Sequence, residues 1–125
     1  MIASNDDGDA VGGDDARLVH AAAIRILNDT ARAAMMFRST YVTLGVRALG
    51  EGVAANALSE VRRFTRFGVY NDPWGEHDFG SITVADKKMF WKIDYYDLQL
   101  QFGSPDPADP AVTARVLTVM LASEY

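Results

Sequence analysis

Three ionisable side chains stand together at Glu76, His77 and Asp78. Imidazole and carboxylate groups are suitable ligands for zinc, manganese or iron. A histidine that a neighbouring carboxylate orients can also act as a general base. The further ligands that a metal would need are available in nearby aspartates, namely Asp72, Asp94 and Asp97. These residues allow one hypothesis, that the protein is a small metal-assisted or acid-base enzyme.

The same cluster has a simpler structural interpretation. In a strand, adjacent side chains point to opposite faces, so His77 would point away from Glu76 and Asp78. His77 would then pair with Tyr96 across a hairpin, and Asp72 would form a turn. The sequence has no nucleophile elbow, no glycine-rich phosphate loop and no cysteine, so it offers no recognisable nucleophile. We therefore predict no catalytic residue, no bound metal and no cofactor.

A second group of residues is suited to binding. From Asp72 to Asp109, eight acidic residues stand against three lysines, and segment 90–97 reads F-W-K-I-D-Y-Y-D. In a strand, Phe90 and Tyr96 would form an outward aromatic pair, which is typical of an interface hot spot unless a loop covers it. An acidic surface can enter arginine and lysine grooves built for phosphates. We predict a binding surface, called the acidic-aromatic set, that comprises Asp72, Trp74, Glu76, Asp78, Phe90, Asp94, Tyr96, Asp97, Asp106 and Asp109.

The charges are polarised along the chain. Residues 1–15 hold five aspartates and no base, residues 16–66 hold eight arginines against three acids, and residues 67–125 hold nine acids against four bases. This distribution disfavours direct nucleic-acid binding, which needs a concentrated basic face. A basic patch at Arg62, Arg63 and Arg66 remains an alternative, and the simpler interpretation of these arginines is a solvated helix face.

Length and composition indicate a single domain. The chain has 125 residues, of which 49% are hydrophobic and 23% charged, as in ordinary globular domains. We expect a disordered acidic leader at residues 1–13 and one domain at residues 14–125. No apolar run is long enough to cross a bilayer and no secretory leader is present, so we expect a cytoplasmic protein that does not bind membranes.

Hydrophobic periodicity predicts helices at residues 16–36 and 51–66, a short strand at 39–44, and a hairpin of strands 76–84 and 88–96. The hairpin should bury one face that carries Ile82, Val84, Met89, Trp91 and Ile93. Asp109-Pro110 is typical of a helix start, and the following run is apolar on most sides, so we predict a last helix at residues 111–123. The predicted fold is α+β, with a small antiparallel sheet, made of the short strand and the hairpin, against about three helices.

Three segments resemble a family of small proteins of unknown function. They read N-D-P-W-G-E-H-D-F-G at 71–80, F-W-K-I-D-Y-Y-D at 90–97, and G-S-P-D-P-A-D-P at 103–110. That family is found in alphaproteobacteria and is often carried on plasmids and integrative elements. The resemblance implies no activity and no catalytic residues. Genes of this family lie near antirestriction and plasmid-maintenance genes, in neighbourhoods where inhibitors of host defence are found.

Together, the residues and the resemblance suggest a non-enzymatic protein-binding module of mobile-element origin. The expected role is inhibition of a host defence complex, of the anti-CRISPR or antirestriction type, and the expected partner is the basic groove of a nucleic-acid-handling protein. An outward pair of Phe90 and Tyr96, with an apolar C-terminal helix, would also suit a homodimer.

Overall fold

The computed structural model describes the backbone of residues 5–125 and the side chains of residues 15–125. Met1–Ser4 lie outside the described residues, as do the side chains of 5–14, and the backbone of residues 5–13 is helical where a disordered leader was expected at residues 1–13. The helices and strands, in chain order, are α1 (Asn5–Ala34), β1 (Ser39–Val42), α2 (Leu44–Arg47), α3 (Glu51–Arg62), β2 (Phe79–Val84), β3 (Lys87–Tyr96) and β4 (Ala114–Leu121). Within this part of the chain, no helix is sufficiently long and apolar to traverse a lipid bilayer.

The four strands form one mixed sheet in the order β1-β4-β3-β2. Strand β4 is antiparallel to β3 and parallel to β1. The helices pack on the sheet, which confirms the α+β class. The short strand β1 is therefore not the neighbour of the hairpin, because β4 lies between them.

The β2–β3 hairpin has the predicted core face. Its two-residue turn, Ala85-Asp86, has positive φ at both positions, as a type I′ turn requires. The resulting register places Ile82 opposite Met89 and Gly80 opposite Trp91. The side chains of the predicted face are buried, and they form the core with Val61 and other residues of the helices.

The helix predicted at residues 111–123 is wrong. Only Pro110–Val112 is helical, as one 3-10 turn that the Asp109 carboxylate caps through the amide of Ala111. The segment that follows is β4, whose residues are mostly buried. A strand with neighbours on both sides is apolar on both faces, and a short apolar run of this kind has no period that separates it from a buried helix. The β-branched residues in it, Val116, Thr118 and Val119, favour the strand.

Candidate functional site

His77 lies on the helix side of the sheet. Its φ of 58° interrupts the extended backbone, and β2 begins only at Phe79. The imidazole stacks on the Phe67 ring, with 3.7 Å between the centroids and 4° between the planes. Its Nδ1 lies 2.9 Å from Oδ1 of Asp29 in α1. The expected cross-strand pair with Tyr96 is therefore wrong, because the left-handed residue breaks the alternation of side chains.

Glu76 belongs to a buried polar network centred on Asn28 of α1. The Asn28 side chain is fully buried and donates to the Glu76 carbonyl at 3.0 Å and to the Tyr95 hydroxyl at 2.8 Å. Tyr95 in turn donates to Oε1 of Glu76 at 3.0 Å. Arg115 of β4 donates through Nε to Oδ1 of Asn28 at 2.7 Å and through Nη2 to the Pro107 carbonyl at 2.6 Å. The network ties α1 to β3, β4 and the loops beside them.

Asp78 is a half-buried carboxyl next to this network. Burial and then the nearby Glu76 carboxylate raise the pKa of Asp78 to about 6. Burial also raises the pKa of Tyr95, so its hydroxyl stays protonated and remains a donor to Glu76. Desolvation lowers the pKa of Arg115, and its hydrogen bonds to Asn28 and Pro107 compensate for the loss of water.

Glu76, His77 and Asp78 do not converge on one point. Glu76 contacts Tyr95, and His77 contacts Asp29 and Phe67. Within residues 15–125, no three histidine, aspartate or glutamate side chains are grouped as a metal ion would need. The imidazole nitrogens instead face two carboxylates, because Nε2 lies 3.5 Å from Oδ2 of Asp72.

The open face of the sheet, opposite the helices, brings together part of the acidic-aromatic set. Strand register places Phe90, Asp94 and Tyr96 on this face, beside Thr118 and Tyr41 of the neighbouring strands. The expectation that Asp94 and Tyr96 point away from the buried Trp91 and Ile93 is confirmed.

The aromatic side chains of the open face form two groups. Phe90 packs against Phe79 and Tyr125, with ring centroids 5.1 Å and 5.4 Å away. Tyr41 and Tyr96 line a groove of about 420 Å³ together with Asp94. Nζ of Lys92 lies 3.0 Å from Oδ2 of Asp94, and this contact raises the pKa of Lys92.

The other members of the set lie elsewhere. The Asp72 carboxylate is 6% exposed and accepts from the backbone amide of His77, so it offers little surface to a partner. Trp74 is 79% exposed and lines a pocket beside α1. Asp97 accepts from the Gln101 amide in the turn after β3. Asp106 contacts Nε2 of His20 at 2.9 Å, which lowers the pKa of that carboxyl.

Sequence reasoning did not identify Asn28, Asp29 or Arg115 as members of a site. One signal was present: Asn28 follows Ile24 by four residues and therefore lies on the buried face of α1. A polar residue in an apolar stripe indicates a buried hydrogen-bond network. Its partners were not visible, because they come from segments distant in the chain.

A family model, described as protein of unknown function (DUF3768), matches residues 42–124. The chain belongs to this family. The matched region begins at the last residue of β1 and contains α2, α3 and strands β2 to β4, whereas α1 precedes it. No curated protein and no solved structure matches the chain.

Proposed function

We propose that this DUF3768 protein is a non-enzymatic module that binds a basic protein surface through the open face of its sheet. The observation that carries the proposal is the groove of about 420 Å³ between Tyr41, Asp94 and Tyr96. Tyr41 is 56% exposed, so its ring is available to a partner. Arginine and lysine side chains bind well between aromatic rings, and a carboxylate at the same place neutralises them.

The charged side chains that line the groove are Asp94 and Lys92. The Asp97 carboxylate lies in the turn after β3, where it accepts from the Gln101 amide. Lys92 contacts Oδ2 of Asp94 and leaves Oδ1 for a second cation. A carboxylate oxygen that remains available attracts a positively charged side chain and favours its association at low salt.

The proposed partner is a nucleic-acid-handling protein of a host defence complex, whose groove for phosphates is lined with arginine and lysine. The resemblance to proteins encoded on plasmids and integrative elements favours this class, since anti-CRISPR and antirestriction inhibitors come from such elements. An inhibitor of this type needs no catalytic residues, because it acts by occupying the site.

The test compares capture of host proteins by wild type and by Asp94→Asn/Asp97→Asn. Asparagine keeps the oxygen that accepts from Gln101 and removes the charge. We expect wild type to capture a basic nucleic-acid-binding protein from nuclease-treated lysate at low salt. The captured amount should fall at least about tenfold for the variant, since loss of each charge-assisted contact costs about 1.5 kcal/mol or more. Added DNA or RNA should compete with the protein.

Two control variants make the result specific. Glu51→Gln/Asp86→Asn removes the same charge from exposed positions outside the groove and should leave capture unchanged. Tyr41→Ala should reduce capture, whereas Tyr70→Ala, at a fully exposed ring that does not line the groove, should not. Equal capture by wild type and by the Asp94/Asp97 variant would show that the open face is not the binding surface.

A further inference from the structure

A second site lies on the helix side of the sheet, where the last turns of α1 and α3 meet. A pocket of about 310 Å³ opens there between Arg32, Arg62, Arg63 and His77. Its volume is at the lower end of the range for ligand sites, so it suits a small molecule. The open face is on the other side of the sheet, and the two sites share no lining residue.

The pocket is basic although the whole chain carries a net charge of −5. Three arginines line it against one carboxylate, that of Asp29. Asp29 is already engaged, because its Oδ1 accepts from Nη2 of Arg32 and contacts Nδ1 of His77. In the described part of the chain, the Arg62 guanidinium makes no hydrogen bond or ion pair, and the Arg63 guanidinium contacts only the Glu60 carboxylate, at 3.1 Å. The Arg62 guanidinium therefore remains available to a ligand, and the Arg63 guanidinium has further N–H donors beside the one that contacts Glu60.

The floor of the pocket is held rigidly. Nη1 of Arg32 donates to the carbonyls of Val61 and Phe64 at 3.3 Å and 3.0 Å, which satisfies the end of α3. The Arg32 guanidinium lies 5.1 Å from the centroid of the Phe67 ring, on which the imidazole of His77 also stacks. Nε of Arg32 is buried and has no acceptor among residues 15–125. A preorganised floor beneath free cationic groups lowers the ordering cost of binding an anion.

We propose that this pocket binds the phosphate group of a small phosphorylated compound. Arg62 and Arg63 are adjacent in sequence at the end of α3, and guanidinium groups match phosphate oxygens in paired hydrogen bonds. His77 forms a wall of the pocket, and both of its nitrogens face carboxylates. The arginines are therefore the principal donors to the phosphate. The NMR signal of the His77 ring should change when the phosphate binds.

The proton NMR signals of the two histidines provide the test, since the chain contains only His20 and His77. Inorganic phosphate and glycerol phosphate are titrated separately into the full chain at constant pH and ionic strength, with chloride as the balancing anion. We expect a saturable shift of the His77 ring signal with either compound and no saturable shift of His20, which contacts Asp106. Arg62→Gln and Arg63→Gln should each weaken binding at least about tenfold.

The control is Arg38→Gln/Arg47→Gln, which removes two exposed arginines that contact carbonyl oxygens outside the pocket. This variant should bind phosphate as wild type does. The proposal is overturned if His77 shows no saturable shift, or if the control loses binding as the pocket variants do. It is also overturned if only a single-stranded oligonucleotide produces the shift, because the site would then be part of a nucleic-acid surface.

Discussion

Gly80 faces Trp91 across the β2–β3 hairpin, and the indole occupies the space where a side chain would stand. A Cβ at residue 80 would lie 2.7 Å from Cε2 of Trp91 and 2.8 Å from Cζ of Phe64, and it would be still closer to the indole nitrogen. Both rings are buried and cannot move aside. We expect Gly80→Ala to lower the free energy of unfolding in urea by about 2 to 3 kcal/mol.

Gly52→Ala is the matched control. No atom lies within 4 Å of the Cβ that this change would add, and residue 52 is in the first turn of α3. Alanine should raise the stability by about 0.5 to 1 kcal/mol through its helix propensity. Similar decreases in the free energy of unfolding in both variants would show that Gly80 is not needed for the packing of Trp91.

Asp78 should make stability depend on pH. Its pKa of about 6 in the fold is above the ordinary value of 3.8, so the folded chain binds a proton at a pH where the unfolded chain does not. Protonation of Asp78 therefore stabilises the fold as the pH falls from about 6 to about 4. Above pH 6 the carboxyl is ionised in the folded chain, and its burial lowers the stability. We expect Asp78→Asn to be more stable than wild type at pH 7.5, and this difference should shrink at pH 4.5.

Urea unfolding at the two pH values measures this difference. Asp86→Asn, at an exposed position in the hairpin turn, changes the charge equally without removing the half-buried carboxyl. If Asp78→Asn and Asp86→Asn show the same pH dependence, the burial of Asp78 does not affect stability.

Residue-level prediction worked where the backbone is regular. The period of two correctly placed Trp91 and Ile93 inside and Asp94 outside, because β3 is extended throughout. It placed His77 on the wrong face, because His77 has a positive φ. The residue type histidine does not by itself predict such a φ. The contact of His77 with Asp29 joins residues 48 positions apart, and no local pattern predicts such a contact.

At the scale of elements, helix α1 is joined to the sheet by a few polar side chains. Asn28 makes three of the hydrogen bonds in this interface. We expect Asn28→Ala to lower the free energy of unfolding by about 2 to 4 kcal/mol, since it removes the acceptor of Arg115 Nε and a donor to the Glu76 carbonyl. Faster amide hydrogen exchange along α1 should accompany this decrease in stability.

Thr30→Ala provides the comparison on the same helix. Thr30 is exposed, and its hydroxyl bonds only to the Ile26 carbonyl within α1. Its removal should change stability by no more than about 0.5 kcal/mol. An Asn28→Ala variant as stable as Thr30→Ala would mean that the network does not fasten α1 to the sheet.

Element prediction failed at β4 for a reason that concerns the whole sheet. Helices α1 and α3 and the hairpin were predictable because each has one buried face. Strand β4 has β1 on one side and β3 on the other, and it is buried on both faces. The predicted α+β class was still correct, because the remaining elements already included both helices and strands.

For the whole molecule, the two proposed sites should act independently. The groove of Tyr41 and the pocket of Arg62 lie on opposite sides of one rigid sheet and share no lining residue. Effects of changes at such separate sites usually add. We expect Arg62→Gln to capture partner protein as wild type does, and Asp94→Asn/Asp97→Asn to retain the phosphate-induced NMR shift of His77.

Phosphate titration and protein capture with both variants check this independence. Loss of both responses in either variant would indicate that the sites are coupled or that the variant is misfolded. Circular dichroism and the urea midpoint distinguish these two causes.

The central position of β4 has a consequence for biosynthesis. Among the strands of residues 5–125, β4 comes last in sequence, yet it is the strand with which β1 pairs. While the ribosome is still making the segment before Ala114, the hairpin has an unprotected edge at β3 and β1 has nothing to bind. Unpaired strand edges promote aggregation, so both edges stay exposed to it until Ala114–Leu121 has been synthesised and has closed the sheet.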